Sequence, residues 1–404
     1  MRFLRSTSTG RLLGAVAGLV IVIVATTAIA VAASGSGPVP KHRPLAVALH
    51  RALSAPAIKG FYANISFTNN LIDASSFQGS DPLLQGTPEG RLWISSDHRL
   101  RLELQSTNGD AQIVVNKTSF WVSDPAQHVV YEGTLPAEHP RTHAGQAKAQ
   151  PIPSIATIQA DLNKLMKHLA ISGAIPGDIA NRPTYTVRLS PHHDGGLLGS
   201  ARIAWDALRG VPLSLGIYAR GNPKPVLALT ATGVSYGKQA PSVFNVTPPP
   251  GAKVVKVSTA GLAGKHATSE HGRRTKVSGA RAVAAKLPFK LHAPHSLIAL
   301  PRQGVKLLDW GGKPAALVTY GRGLGAIAVI EQVGTAKSLS SPSTKSGGDG
   351  QAGFSLPTVS IHGATGSELD TALGTVIRFS RAGVGYTVLG SVPPVAAEKA
   401  ARGL

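Results

Sequence analysis

The fold class of this chain is decided by the stretch from Pro183 to Val257. It opens with PTYTVRLSP (183–191), continues with GSARIAWDALRGVPLSLGIYARG (199–221) and closes with VSYGKQAPSVFNVTPPPGAKVVKV (234–257). Apolar and polar residues alternate along it, which is typical of β-strands with one buried and one exposed face. The apolar sets are Tyr185, Val187 and Leu189, then Ala201, Ile203 and Trp205, then Leu213, Leu215 and Ile217. Asp206–Gly210 is the predicted hairpin turn. Pro212 is predicted at the start or the edge of the next strand, because proline has no backbone N–H to donate to a neighbouring strand.

Two motifs in this stretch resemble a known family. The first motif is a hairpin: hydrophobic residues lead to Asp206, a short turn follows, and Gly210–Leu213 has the pattern Gly-x-Pro-Leu. The second motif is Phe244–Ala252, with the pattern Phe-x-x-x-Pro-Pro-x-Gly-Ala. Together they are similar to the closing half of LolA/RseB-type lipoprotein-handling proteins, of the membrane-tethered actinobacterial type. The resemblance implies an α+β, mainly antiparallel fold: an incompletely closed β-barrel around a hydrophobic cavity, with a helical lid and a smaller C-terminal α+β domain.

Composition excludes several classes of function. The 404 residues include no cysteine, so disulfides, Cys-based zinc sites, thiol catalysis and lipid attachment to an N-terminal Cys are excluded. The length predicts about two or three domains. A formal net charge of +21 would by itself suggest nucleic-acid binding.

The N-terminus argues against nucleic acid. Residues 1–11 carry three arginines, and the run from Leu12 to Ala33 is uncharged and mostly apolar. Its 22 residues can cross the hydrocarbon layer, whereas the apolar core of a cleaved signal peptide has about 7 to 15. We expect a signal anchor with the bulk of the chain outside the cytoplasm. Cleavage after Ala30 or Ala32 is the alternative, and a cleaved chain would be secreted. An outward-facing basic domain fits anionic headgroups or wall polymers rather than DNA.

The first folded unit is predicted at 44–257, after a tether at 34–43. Pro44–Ala57 is a predicted helix, Phe61–Phe67 a first strand, and Leu100, Leu102 and Leu104 alternate with charged residues in another. Asn108–Gly109 is the strongest hairpin signal. Ser154 is a predicted N-cap of an amphipathic helix whose apolar stripe is Ile155, Ile158, Leu162, Leu165, Met166 and Leu169. That stripe fits a helix packed on the sheet or a lid over an acyl chain.

Beyond Val257 the composition changes. Residues 258–286 are a predicted flexible linker, and 287–404 a small α+β domain with a disordered insertion at 337–353. Leu317–Leu324 and Gly385–Pro394 resemble the second domain of RseB-like regulators. This chain has Gly-Arg-Gly at 321–323 where that family usually has Ser-Asp-Gly, so the acidic residue is replaced by a basic one.

A search for catalytic motifs favours a non-enzyme. The chain has no G-x-S-x-G, no H-E-x-x-H and no complete Walker loop. Gly321–Ala326 lies between predicted strands and is interpreted as a turn. His192, His193 and Asp194 form a predicted solvated turn, as do His139 and His143 in the connection 137–153. No catalytic residue, metal ligand or cofactor is therefore predicted.

The function predicted first is binding of an acyl chain or lipoprotein in an apolar barrel cavity, through hydrocarbon burial at about 0.8 kcal/mol per CH₂. The candidate cavity residues are Leu92, Leu100, Leu102, Leu104, Ile113, Val115, Ile203, Trp205, Leu213, Leu215 and Ile217. The alternative is an envelope-stress regulator that binds an anti-sigma factor or another envelope protein through its second domain. A wall-associated structural module is the third interpretation.

Overall fold

The computed structural model describes residues 37–72, 88–105, 110–125, 128–135, 152–192, 195–257, 277–310, 313–334 and 356–404. Several predictions fall outside these ranges: the anchor at 12–33, the Asn108–Gly109 hairpin, His139, His143, His193, Asp194 and the insertion at 337–353. Within the described part, no helix is long and apolar enough to cross a membrane.

The first unit is a curled sheet of 13 strands. Its strands are β1 (Gly60–Asn69), β2 (Glu89–Ser95), β3 (Arg99–Leu104), β4 (Ala111–Asn116), β5 (Ser119–Asp124), β6 (Val129–Thr134), β7 (Leu169–Ile171), β8 (Ile175–Ile179), β9 (Arg182–Pro191), β10 (Leu198–Asp206), β11 (Pro212–Ala219), β12 (Pro225–Tyr236) and β13 (Lys253–Val257). The order is β13-β6-β5-β4-β3-β2-β1-β12-β11-β10-β9-β7, and β8 also pairs with β9. All pairs are antiparallel except β13 with β6. The predicted mainly antiparallel half barrel is confirmed.

Two helices flank one end of this sheet. Helix α1 (Leu45–Ser54) follows Pro44, and helix α2 (Ile155–Leu165) begins after Ser154, whose Oγ accepts a hydrogen bond from the Thr157 amide at 3.1 Å. The predicted N-cap is therefore confirmed. Helix α1 buries its apolar side on β9 and β10, in a cluster that contains Ala48, Ala52, Tyr185, Val187 and Trp205.

The second unit is a sheet of eight antiparallel strands. They are β14 (Ser296–Leu297), β15 (Leu300–Trp310), β16 (Lys313–Tyr320), β17 (Ile327–Val333), β18 (Thr358–Ile361), β19 (Ala364–Thr371), β20 (Gly374–Arg381) and β21 (Val384–Gly390), in the order β14-β15-β16-β17-β21-β20-β19-β18. Helices α3 (Ala280–Ala284) and α4 (Pro394–Arg402) pack on one face. The terminal helix has its predicted bounds, and Gly321–Ala326 is a turn between β16 and β17, as predicted.

Two features of the second unit differ from the sequence expectation. Helix α3 lies inside the segment predicted as a linker, and its Val283 is fully buried in the core of the second unit. The folded unit thus includes residues before the predicted start at Leu287. Strand β19 has no apolar alternation and was not predicted, because pairing with β18 and β20 on either side determines it.

The two units are hydrogen-bonded to each other. The amide of Ala372 donates to Leu71 O at 2.8 Å, and the amide of Leu197 donates to Ser391 O at 3.0 Å. Ala372 and Leu373 form the two-residue turn between β19 and β20, and both pack against the apolar cluster of the first unit. The second unit therefore contributes side chains to the inner face of the half barrel.

Candidate functional site

The strand registers place the eleven predicted cavity residues on one face of the first sheet. Leu92 pairs with Leu102 and Leu102 with Ile113, while Ile203 pairs with Leu215. Strands β1 and β12 join these two groups, because Phe67 pairs with Leu229 and Leu229 with Leu215. The alternation in the sequence thus agrees with the registers, and we call the face that carries these residues the inner face.

This face is packed by the chain itself. Leu92, Leu100, Leu102, Leu104, Ile113 and Leu213 belong to one cluster with the apolar residues of β1 and β12. Ile203 and Trp205 pack beneath helix α1. Val115 and Leu215 are half-buried and Ile217 is buried.

A cavity against one part of this face is small. The cavity that the described residues form against β3, β4 and β5 measures about 10 Å³ and is lined by Leu102, Leu104, Ile113 and Val122, among others. A single water molecule needs about 10–15 Å³ of such volume. No acyl chain fits into this void as it stands.

The hairpin that carries the family resemblance positions helix α1. Asp206 is fully buried, and its Oδ2 accepts hydrogen bonds from Arg182 Nε at 2.9 Å and Tyr236 Oη at 2.8 Å, while its Oδ1 accepts the amides of Leu208 and Arg209. Burial favours the neutral acid, but these bonds outweigh it and lower the pKa of Asp206.

Glycine is required at the end of the same turn. Gly210 has φ of +67°, and a Cβ there would lie 2.3 Å from the carbonyl oxygen of Ala52 in α1. The helix therefore rests on the backbone of the turn. The Asp and Gly of the motif have structural roles and form no open site.

The opposite face of the sheet carries an aromatic and cationic group. The guanidinium groups of Arg91 and Arg101 lie 5.4 and 5.3 Å from the ring centre of Trp93. Both arginines also pair with the buried carboxylate of Glu103, and Arg91 Nη2 lies 2.8 Å from it. The two guanidinium groups share one carboxylate, so the group carries one net positive charge and is held together within the sheet.

A larger cavity lies in the second unit. It measures about 470 Å³ and opens between the segment 288–292 and the ends of β17, β20 and β21. Its lining includes the apolar side chains of Phe289, Val333, Val384 and Tyr386 and the basic side chains of Lys290, His292 and Arg381. Burial, then the nearby positive charges of Arg381 and Lys290, lower the pKa of His292. Sequence reasoning did not find this cavity, whose lining residues lie on three separate segments of the chain, 288–292, Val333 and 381–386.

An acidic residue lies buried behind this cavity. Glu331 is fully buried, one carboxylate oxygen accepts the His292 amide at 2.9 Å, and the other has no hydrogen-bond partner among the residues that the structure describes. Burial raises the pKa of Glu331 to about 7. Burial and the nearby Glu331 raise the pKa of Tyr320 to about 12, and within the described part of the chain the Tyr320 hydroxyl has no hydrogen-bond partner either.

Of the predicted solvated turn, only His192 is described. Its Nε2 lies 2.9 Å from the carbonyl oxygen of Met166 at the end of α2. Among the residues that the structure describes, no three His, Asp or Glu side chains come together as a metal site would require.

These elements form a curled half barrel with helices at one end and a smaller sheet unit bonded to it, which is the architecture that the sequence resemblance to LolA/RseB-type proteins predicted. No family model and no curated protein matches the chain. Among solved structures, it is similar to MucB in complex with MucA(peri), with 14% identity over 88% of this chain and 97% of that chain and a TM-score of 0.40. A Pseudomonas aeruginosa MucA/MucB complex gives 15% identity over 88% and 96%, with a TM-score of 0.39. A putative lipoprotein-sorting protein domain from Vibrio parahaemolyticus gives 10% identity over 50% and 96%, with a TM-score of 0.23.

Proposed function

We propose that this protein is a non-catalytic binding protein, tethered by Leu12–Ala33 to the outer side of the cytoplasmic membrane. Its second unit binds an envelope protein, in the manner of a stress regulator that holds an anti-sigma factor. Of the three interpretations of the sequence, this is the regulator rather than the carrier or the structural module.

The observation that supports this choice is the difference between the two cavities. The cavity against β3, β4 and β5 on the inner face measures about 10 Å³, whereas the cavity of the second unit measures about 470 Å³. Ligand pockets occupy about 300–1,000 Å³. Binding in the half barrel would first require its own side chains to move, and binding in the second unit would not.

The chemistry of the larger cavity fits an acidic and apolar peptide segment. Phe289, Val384 and Tyr386 offer apolar and aromatic contact, and Lys290 and Arg381 offer positive charge. No carboxylate belongs to the described lining. Opposite charge across such a contact fixes orientation and speeds association.

The experiment measures binding of an anti-sigma factor's extracytoplasmic segment to the full chain, by calorimetry. Val333 lines the cavity but is 44% exposed, so Val333→Glu adds a negative charge without disturbing the core. We expect it to weaken binding about tenfold or more, because like charges across an interface are costly. Val395→Glu, at a 77% exposed position on α4 outside the cavity, is the matched control. Equal affinities of the two variants would contradict the proposal.

One observation favours the carrier as a second candidate function. Ala372 and Leu373, which pack on the inner face, belong to the other unit, so a movement between the units would uncover that face. In that case Leu373→Asp would increase binding of a fluorescent fatty acid by the full chain. Leu208→Asp, at a 64% exposed position in the hairpin of the first unit, would not. No gain in the Leu373 variant would exclude this mode of opening.

A further inference from the structure

Two arginines stand side by side on the outer face of the half barrel, which is the face of the sheet opposite the inner face. Arg188 of β9 pairs with Arg202 of β10 in the antiparallel register. Residues paired in this way point to the same side of the sheet, with Cβ atoms about 4.5–5.5 Å apart. Their neighbours Val187 and Ile203 point to the other side, toward α1. Two positive charges are thus held next to each other on one surface.

These two arginines have no carboxylate partner among the described residues. Strands β9 to β12 contain a single acidic residue, Asp206, and it pairs with Arg182 at 2.9 Å. The ion pairs of the described part of the chain include neither Arg188 nor Arg202. Like charges directly opposite each other destabilise a sheet. The arginine pair is therefore unfavourable unless an anion neutralises it.

The ring of Tyr218 in β11 holds one of the two guanidinium groups in place. The guanidinium carbon of Arg202 lies 4.1 Å from the centre of this ring, and the cation–π contact orients the group. The residue opposite Arg202 on β11 is Gly216, which has no side chain to compete for that position. Arg202 is half-buried and Arg188 is exposed. One guanidinium is thus fixed against the sheet, and the other is accessible from solvent.

The cluster offers hydrogen-bond donors and lacks an acceptor. Tyr218 is 2% exposed, and none of the described residues accepts a hydrogen bond from its hydroxyl or from Arg202 Nε. Burial raises the pKa of Tyr218, while the charges of Arg202 and Arg188 act in the opposite direction, so the hydroxyl lies near both arginines. A guanidinium has donors only and cannot accept the O–H proton. The partner that fits this cluster is an acceptor with negative charge.

A phosphate group fits this set of donors better than a carboxylate. One guanidinium bonds both oxygens of a carboxylate, so a single arginine is enough for that ligand. Two guanidinium groups side by side provide two forks of N–H donors and two positive charges. A phosphate monoester carries about −1.5 to −2 at pH 7 and three strong acceptor oxygens. Its charge and its number of acceptors match the pair.

The surroundings favour a soluble ligand over a lipid headgroup. None of the exposed large apolar side chains of the described chain lies on β9, β10, β11 or β12. One of them, Ile175, lies on the adjacent β8, and a single exposed apolar residue is normal on a protein surface. A surface that binds a bilayer combines basic residues with a set of apolar side chains that enter the acyl region. The outer face of these four strands has the charge without that apolar set.

We propose that Arg188, Arg202 and Tyr218 form a binding site for the phosphate group of a soluble ligand. Arg188 and Arg202 bond the phosphate oxygens, and the Tyr218 ring positions Arg202. A bound phosphate removes the repulsion between the two arginines, so the ligand also stabilises the first unit. The site depends neither on the tether nor on the cavity of the second unit.

The test measures binding of inorganic phosphate to the full chain in neutral detergent, by calorimetry. Sodium chloride keeps the ionic strength constant, so that screening does not change. We expect Arg188→Gln to weaken phosphate binding about tenfold or more. Arg209→Gln changes the charge equally at an exposed position in the β10–β11 hairpin and is the matched control. Undetectable binding by the wild type, or an equal loss in the two variants, would overturn the inference.

A second pair of variants separates geometry from charge. Arg202→Lys keeps the positive charge but loses the planar fork and its stacking on the ring. We expect it to weaken phosphate binding about tenfold, whereas Arg209→Lys should bind as the wild type does. Unchanged binding in Arg202→Lys would contradict the proposed role of the oriented guanidinium. Binding seen only with phosphatidic acid added to the detergent, and not with inorganic phosphate, would overturn the choice of a soluble ligand.

Urea unfolding tests whether the arginine pair is structural. Without phosphate, Arg188→Gln should be at least as stable as the wild type, because a repulsive pair has been removed. Phosphate should raise the urea midpoint of the wild type and leave that of the variant unchanged. A variant less stable than the wild type in the absence of phosphate would show that Arg188 supports the fold, against the inference.

Discussion

The buried carboxyl of Glu331 predicts a specific dependence of stability on pH. Its pKa is raised from the ordinary 4.5 to about 7 by burial. Between these two values the unfolded chain loses its proton while the folded chain keeps it, so the free energy of unfolding falls as pH rises. The stabilisation is complete below pH 4.5 and is lost through pH 7.

The magnitude follows from the two pKa values. A difference of one pKa unit corresponds to about 1.4 kcal/mol, so Glu331 lowers the free energy of unfolding by about 3 kcal/mol between pH 4.5 and pH 8. Glu331→Gln stays neutral and keeps an acceptor for the His292 amide. We expect the stability of the variant relative to wild type to rise by about 3 kcal/mol over that pH interval.

Stability is measured by urea unfolding. Because the two units need not unfold together, pulsed hydrogen exchange of β17 and β21 follows the unfolding of the second unit by itself. Other groups near Glu331 are Tyr320, Tyr386 and His292, with Lys290 and Arg381 beside the imidazole. The tyrosines have raised pKa values and stay neutral over this interval. His292 titrates in both proteins and therefore cancels in the difference.

A matched control removes a different carboxylate. Glu398→Gln deletes the i,i+4 partner of Arg402 on the exposed side of α4. We expect the stability of this variant relative to wild type to change much less between pH 4.5 and pH 8. If the difference between Glu331→Gln and wild type were the same at pH 4.5 and pH 8, Glu331 would not be buried in the folded protein.

Three further predictions concern the first unit, each measured by urea unfolding of the full chain. Gly210→Ala should cost about 2 kcal/mol or more, because φ is +67° and the new Cβ would meet the backbone of α1; Gly221→Ala, with φ of +74° and open space, should cost only about 1 kcal/mol. Asp206→Ala should cost about 3–5 kcal/mol, since it leaves the partly buried Arg182 without its partner. Ser154→Ala should cost about 1 kcal/mol and increase hydrogen exchange in the first turn of α2, because the N-cap bond is lost. Wild-type stability in any of these variants would show that the corresponding contact is not made.

Sequence reasoning found the parts of the structure that depend on local pattern. The period-two alternation of Leu100, Leu102 and Leu104 identified the inner face, because successive side chains of a strand always point to opposite sides. Ser154 was found as an N-cap and Pro394–Arg402 as a helix, also from residues that are close together in the sequence. Each of these signals lies within a few neighbouring residues.

Burial that depends on distant segments was beyond the sequence. Glu331 stands on a strand where a charged residue is usually solvated, and it is buried because the segment 288–292 packs near it. Val283 was assigned to a linker, and it is buried because α3 packs on the second sheet. The exposed stripe of α2 is the reverse case, since neither the sheet nor a cavity covers Ile155, Leu165 and Met166.

The sequence by itself determined which residues face the inside of the half barrel. Only the tertiary structure decided how these side chains pack, with a cavity of about 10 Å³ against β3, β4 and β5. Alternation fixes the direction of a side chain along its own strand, whereas the space in front of it is set by strands far away in the chain and by the Ala372–Leu373 turn of the other unit. Direction is a local property of the backbone, and free volume is a property of the whole packed molecule.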